Sequence, residues 1–347
     1  MAATAQVIDA DGHVEPALVL DWARAIGGDD GATVAASAKR WFDLVGHGSS
    51  TQAGAWDPRA RLADMTTDGI DLAVLFGSSR GPSSVSAGDR RLEPAIARAF
   101  NDWLAEYCSE DSNRLKPAAW VVLHDIDAAC AEARRAVETR SAVGVVFNPC
   151  TDHYSLDDPR FFELYALLQD LDVPLLVHGT GAVGAFLSER YQTHSRRHAV
   201  AFPLSIQMAT MDLVCGGVLE RFDRLRVALL EAGVGWLPWW MDRLDEHYEL
   251  APYDAPFITD KPSTLVARYA AENRIFWSCE PDEACLGAAV DFVGPGAIVF
   301  ASDYPHIDCT FPGAVDLIRK RDDVDDDAKA RLLRVNAIEL YGQRLLA

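Results

Sequence analysis

The run Val7-Ile8-Asp9-Ala10-Asp11-Gly12-His13-Val14-Glu15-Pro16 is an apolar approach that ends in carboxylates and one imidazole. In a β-strand alternate side chains share a face, which would put Asp9, Asp11 and His13 on one side and Ile8 and Ala10 on the other. Unpaired buried carboxylates are costly, so such a face calls for a partner charge or a metal. A strand that runs out into solvent with a polar tip is the alternative for this segment taken alone.

The same signature recurs along the chain. His178 closes Pro174-Leu175-Leu176-Val177, Glu231 closes Val227-Ala228-Leu229-Leu230, and Asn148 follows Val145-Val146-Phe147. Glu280 lies in Ser278-Cys279-Glu280-Pro281-Asp282-Glu283, and Asp303 and His306 lie in Ser302-Asp303-Tyr304-Pro305-His306. Singly, each suits a hydrogen-bonded structural residue. Jointly, at one end of a fold, they form a mixed N/O donor set suited to Fe, Mn, Zn or Co. A single catalytic ion takes about three or four protein ligands. The surplus implies either two metals or one metal with supporting partners and a general base.

These groups must be positioned by regular elements, and the apolar runs supply them. Eight strands are predicted over Val7–His13, Asp71–Gly77, Leu115–Leu123, Ala142–Pro149, Val173–Gly179, Leu225–Gly233, Arg274–Pro281 and Ala297–His306. Most are nearly continuous in Val, Leu, Ile, Ala and Phe, as parallel strands covered on both faces are. Helical patterns over Pro58–Asp68, Pro94–Glu110, Ile126–Thr139, Pro159–Leu171, Pro203–Cys215, Leu237–Leu250, Asp282–Phe292 and Asp325–Val335 alternate with them. The alternation predicts an α/β fold, a (β/α)8 TIM barrel formed as a single domain over residues 1–347. A doubly wound open sheet is second, because the first strand lacks the Gly-rich dinucleotide fingerprint.

Long connections 17–57, 78–93, 181–202 and 251–263 all follow strands, which in a barrel collects them at the C-terminal face where active sites lie. Segment 17–57 is expected to carry a helix over Ala32–Val45 and to act as a lid, and 336–347 to form a closing helix. The loop Arg190-Tyr191-Gln192-Thr193-His194-Ser195-Arg196-Arg197-His198 is a basic patch that should overhang the site. There His198 is a candidate ligand or proton carrier, and Arg190, Arg196 and Arg197 read either as holding phosphates or a carboxylate or as solvated side chains paired with neighbouring Glu and Asp. Trp236, Trp239 and Trp240 read either as an aromatic wall for an apolar substrate or as residues packed on the barrel. Arg243 and Asp245 are expected to form an ion pair.

Composition limits the partners. The chain carries 52 acidic against 32 basic residues, a formal charge of −20, which argues against nucleic-acid or anionic-membrane binding. Its seven cysteines are scattered and form no CxxC pair, so neither a disulfide framework nor a zinc knuckle is expected. No apolar run is read as approaching the ~20 residues of a spanning helix, and a cytoplasmic setting is the default expectation.

Asp11-Gly12-His13, Val177-His178 and Ser302-Asp303-Tyr304-Pro305 resemble the amidohydrolase-related TIM-barrel family, in the branch of the aminocarboxymuconate semialdehyde and resorcylate decarboxylases. The resemblance spans nearly the whole chain and implies Asp11, His13, His178 and Asp303 as core metal ligands. It also shows a departure: where those decarboxylases carry a histidine after strand six, this chain has Glu231 in Leu230-Glu231-Ala232-Gly233-Val234-Gly235-Trp236. With Ser278–Glu283 and Tyr304-Pro305-His306, that departure makes the chain similar to a branch containing a nonheme diiron monooxygenase of platensimycin and platencin biosynthesis. The likeness implies two Fe ions, dioxygen and an apolar, coenzyme A-linked small-molecule substrate. Its ligands would be Asp11, His13, His178, Glu231, Asp303 and Glu280, with His198 or His306. Glu231, His198 and His306 would serve the chemistry, and Arg190, Arg196, Arg197, Asn148 and Trp236 the substrate. The alternative is one Zn or Mn ion in a hydrolase or nonoxidative decarboxylase, with Glu231 as base. Homo-oligomer formation is compatible with either.

Overall fold

The computed structural model describes residues 6–15, 26–45, 52–77, 89–149, 154–180, 187 and 189–347, with 38–45 and 194 described by their backbone. Strands β1 (Ile8–Val14), β2 (Leu72–Gly77), β3 (Leu115–Trp120), β4 (Gly144–Phe147), β5 (Leu175–His178), β6 (Val227–Leu230), β7 (Ile275–Cys279) and β8 (Ile298–Phe300) form one parallel sheet. Each strand pairs with the next in chain order. Every strand residue is buried, the expected consequence of helices outside and packed side chains within.

The seam between β8 and β1 is closed by the segment just past β8. The His13 N–H donates to the Tyr304 carbonyl at 2.6 Å, and the Asp303 N–H to the Asp11 carbonyl at 3.3 Å. Asp9 adds side-chain bonds there, accepting from the Ser302 N–H at 2.9 Å and the Ser302 hydroxyl at 2.6 Å.

The helices are α1 (Gly28–Val45) and α2 (Pro58–Asp68) after β1, α3 (Glu93–Cys108) after β2, α4 (Ile126–Thr139) after β3 and α5 (Phe162–Leu171) after β4. Helix α6 (His194–Cys215) and a single helical turn at Val218–Arg221 follow β5, α7 (Leu237–Leu250) and α8 (Pro262–Ala271) follow β6, and α9 (Leu286–Val293) follows β7. After β8 come α10 (Ala314–Lys320), α11 (Asp326–Ala330) and α12 (Asn336–Tyr341), the last two joined through a π-helical stretch at Arg331–Val335. Their starts are chemically marked. Asp57 caps α2 by accepting from the Arg59 N–H at 2.9 Å, and Asp125 caps α4 by accepting from the Ala128 N–H at 3.0 Å.

Several expectations change here. Helix α6 begins at His194 and runs through Pro203, which was read as its first residue; the ring lacks one N–H donor but the helix on either side retains its own bonds. Arg196, Arg197 and His198 therefore lie on the first turns of a helix and not in a loop. Ser195–Cys215 is also long and apolar enough to cross a membrane by length and composition alone, contrary to the expectation that no run reaches that length. In the structure it packs on β5 and β6 as a barrel helix.

Helices α8 and α10 were not anticipated. Helix α1 covers the expected Ala32–Val45 and starts four residues earlier, and its Val34 joins the main core. The rest of the expected lid, residues 17–25 and 46–51, lies outside the described residues, as do 78–88, 181–186 and 188 of the other long connections. Arg243 pairs with Glu246 at 3.5 Å instead of Asp245, whose carboxylate instead accepts from the Ser263 N–H at 2.9 Å.

Candidate metal centre

At the C-terminal mouth of the barrel, six side chains from four strand ends converge. Among the described residues, two overlapping groups have ligand atoms close enough to hold a cation: Asp11, His13 and His178, and His13, Glu231, Asp303 and His306. His13 belongs to both. Its Nε2 lies 3.4 Å from Asp11 Oδ1, 3.1 Å from Asp303 Oδ1 and 3.9 Å from Glu231 Oε1. The Nε2 atoms of His13 and His178 face each other at 3.4 Å. Each ring turns its Nδ1 to a main-chain carbonyl, Gly77 at 3.3 Å for His13 and Gly179 at 2.9 Å for His178. That contact fixes the tautomer and leaves Nε2 with its lone pair toward the centre, as in metal-binding histidines.

Glu231 and His306 extend the set. His306 Nδ1 is 2.7 Å from Asp303 Oδ1 and 3.2 Å from Glu231 Oε1, and its ring stacks on His13 with centroids 4.1 Å apart. Glu231 Oε2 lies 3.2 Å from His178 Nδ1. The carboxylates that follow β6 and β8 both sit on left-handed backbone, Glu231 at φ 65° and Asp303 at φ 53°. Non-glycine residues are held there only by their surroundings, and such positions cluster at functional sites.

The electrostatics fit cation binding. Burial, reinforced by His306, lowers the His13 imidazole to about 4, and burial with His13 takes His178 well below its usual value, so both rings are neutral donors. Burial and then Glu231, Asp303 and Asp9 push the Asp11 carboxyl well up. Burial, reinforced by Asp303 and Glu280, brings Glu231 up to about 8 despite the hydrogen bond from His306. For Asp303, burial opposes ionisation, but His306 and His13 outweigh it and hold the carboxyl low. Asp11 Oδ1 and Glu231 Oε2 are buried oxygens with no hydrogen-bond donor. Carboxylate oxygens in that state are what a bound divalent cation satisfies, and the N/O donor set suits Mn, Fe, Zn or Co.

The other expected residues fall around this centre in different ways. Asp9 does not share a face with His13: one extra β1 residue between Asp9 and Gly12 breaks the alternation against β2. Asp9 turns to Ser302 and to buried Arg61, whose Nη2 is 3.6 Å away. Glu280 is half-buried and lies outside both groups, and desolvation, then Asp303 and Glu283, raise its carboxyl to about 8. His198 stacks on Phe202 at 4.0 Å and faces Asp308 at 4.0 Å, and it belongs to neither ligand group. Asn148 follows the Phe147–Val177 pair and so stands level with His178, its buried Oδ1 lacking a donor.

Arg190 lies by the Tyr191 ring, and Arg196 is exposed and Arg197 half-buried on α6. The Trp236 indole is tied to the Ala232 and Gly233 carbonyls at 3.1 and 2.9 Å, so it braces the turn after β6. Arg61 was not anticipated. From α2 it donates to the His13 carbonyl at 2.9 Å and the Tyr304 carbonyl at 3.2 Å, joining the two segments that carry His13 and Asp303. An arginine beside Arg59 in a capped helix reads as solvated, and only the fold brings it beneath the site.

Comparison with known proteins agrees with this fold. A family profile described as Amidohydrolase matches residues 8–343. A 2-amino-3-carboxymuconate-6-semialdehyde decarboxylase of Dictyostelium discoideum is 22% identical over 83% of this chain and 77% of its own length. The structure of the 5-carboxyvanillate decarboxylase LigW of Sphingomonas paucimobilis has a TM-score of 0.77 at 22% identity, covering 97% of this chain and 98% of the other. That of the Novosphingobium aromaticivorans 5-carboxyvanillate decarboxylase, complexed with manganese and 4-hydroxy-3-methoxy-5-nitrobenzoic acid, has a TM-score of 0.75 at 18% identity, covering 97% and 96%. At these identities the two structures establish the shared barrel.

Proposed function

We propose that this chain, which belongs to the amidohydrolase family, is a divalent-metal-dependent enzyme that decarboxylates a small aromatic acid without an oxidant. The observation that carries the reading is the set Asp11, His13, His178 and Asp303 at the barrel mouth with the Glu231 carboxyl directly against it. That is the composition of a single catalytic cation with a proton carrier beside it. A bound Mn or Zn ion supplies Lewis-acid polarisation and a grip on acidic substrate oxygens. The 5-carboxyvanillate decarboxylases support an aromatic acid as substrate class, and manganese with a substituted benzoic acid in one of them supports both metal and ligand type.

The chain's own groups account for the rest. When the ring carbon loses carbon dioxide, the electron pair left on it takes a proton, and Glu231 is placed to deliver that proton, with His306 hydrogen-bonded to Oε1 to orient it. Glu231 stands where the decarboxylases are read to carry histidine, so the proton carrier changes type while keeping its place. The open Asn148 carbonyl oxygen, level with His178, offers an acceptor for a phenolic hydroxyl.

One observation favours a second reading. His13 is shared between two ligand groups, and Glu231 and His306 give the second group as many donors as a second cation needs. On that reading the centre would hold two irons, and the enzyme would hydroxylate an apolar, coenzyme A-linked substrate with dioxygen and two electrons from an external reductant, the second oxygen atom leaving as water.

Metal analysis of the aerobically purified chain, followed by incubation with 5-carboxyvanillate and 2,6-dihydroxybenzoate under nitrogen, separates the two. About one manganese or zinc per chain, with oxygen-independent carbon dioxide release that is lost in Glu231→Gln, is expected. About two irons per chain, and turnover only in air, would replace decarboxylation with oxygenation.

A further inference from the structure

Glu231 meets His178 and His306 from a left-handed backbone position, so something must hold the turn after β6 in that shape. The hold comes from β7 and the segment after it. The Glu231 N–H donates to the Ser278 hydroxyl oxygen at 2.9 Å. Three residues on, the Val234 N–H points at both oxygens of Glu283, at 2.8 and 3.0 Å, and the Gly235 N–H reaches Oε1 at 2.5 Å.

Successive main-chain amides closing on one carboxylate form an anion-binding nest. The fit is close: a Cβ on Gly233, itself at φ +59°, would sit 2.8 Å from Glu283 Oε1. Glu283 lies outside both ligand groups, and its contacts run to the turn that presents Glu231.

We propose that Ser278 and Glu283 are positioning residues for Glu231: by pinning its own amide and those of Val234 and Gly235 just after it, they set where its carboxylate meets the cation centre. The inference rests on the metal-centre reading above. Residues that orient ligands through one intermediate contact typically change metal affinity 10- to 100-fold when removed.

The test is Co²⁺ titration of the chelator-stripped full-length chain, followed by the visible d–d absorption of the bound ion. Glu283→Ala, Glu283→Gln, Ser278→Ala, Glu231→Gln and the Glu283→Ala/Glu231→Gln double variant are compared with the parent. Glu283→Ala is expected to weaken Co²⁺ binding roughly tenfold or more and to alter the d–d bands, with partial recovery in Glu283→Gln, which keeps one acceptor oxygen. Because the effect passes through Glu231, the double variant should bind no worse than Glu231→Gln alone.

Parental affinity and spectrum in a folded Glu283→Ala would overturn the proposal, as would full additivity in the double variant. Should Glu283→Ala fail to fold, Glu283→Gln and Ser278→Ala decide by the same criteria: weakened, band-shifted binding sustains the proposal and parental binding in both overturns it. A parent chain that takes up no Co²⁺ overturns the metal-centre reading, and the positioning role with it.

Discussion

Gly12 lies between two metal-site residues, and no side chain fits there: a Cβ would collide with Arg61 Nη2 and come within 2.7 Å of Asp9 Oδ2. The guanidinium cannot retreat, because it is buried and already bound to the His13 and Tyr304 carbonyls. Gly12→Ala should therefore cost about 1–3 kcal/mol in urea unfolding, the range for overpacking a filled interior. It should weaken Mn²⁺ binding as well, since relief of the clash displaces His13; parental stability and affinity in this variant would refute the account. Asp11, His13, His178 and Asp303 were legible in the sequence because each interrupts an apolar run at a strand end, where a polar side chain needs a reason. Arg61, Ser278 and Glu283 were not. Their roles depend on contacts between residues far apart in the chain, such as the bond from Arg61 to the Tyr304 carbonyl, and no local pattern encodes these.

The order of strands and most helices follows from local signals, since a continuous Val/Leu/Ile run and a capped amphipathic stretch each bury one kind of surface. The failures are equally physical. Pro203 marks a helix start by its missing donor, yet α6 runs through it because the helix packs on β5 and β6. Helix α8 was passed over although Leu265, Val266, Tyr269 and Ala270 bury one helical stripe. Helix α6 also carries an element-scale prediction through Asp212, whose carboxylate accepts the Leu156 N–H at 2.9 Å and so docks the helix on the connection before α5. Burial, with Asp157 adding to it and the Leu156 bond opposing, raises this carboxyl to about 6. A folded-state value above the unfolded ~3.9 means that the folded chain binds the proton more tightly. The associated stability is fully present below the unfolded value and is lost as pH rises through about 6. Asp212→Asn keeps a carbonyl acceptor and removes the titration, so it should stabilise the chain at pH 7 relative to pH 5, by about 1 kcal/mol. Thermal unfolding at the two pH values checks this; an equal offset from the parent at both would count against it.

For the molecule as a whole, the barrel concentrates three buried acidic side chains, Asp11, Glu231 and Asp303, in one cluster of a chain whose formal charge is already −20. Three histidines accompany them, but His13 and His178 are neutral donors, so His306 alone offers a positive partner. Such a cluster is an expensive interior unless a cation completes it, which makes metal binding and folding one equilibrium. At a free metal concentration 1,000 times the dissociation constant, the linkage is worth about 4 kcal/mol. For a chain of this size that corresponds to roughly 2 °C per kcal/mol in Tm. Stripping the metal with dipicolinate should thus lower Tm by several degrees, and Mn²⁺ should restore it. Because a chain of charge −20 also gains stability from simple screening of its self-repulsion, the comparison belongs at matched ionic strength, with Na⁺ replacing the divalent ion. Recovery with Mn²⁺ and not with Na⁺ separates occupancy of the centre from screening of the surface. Were Tm indifferent to both chelator and Mn²⁺, the six side chains at the mouth would be satisfying one another, and the centre would be a structural polar network instead of a metal site.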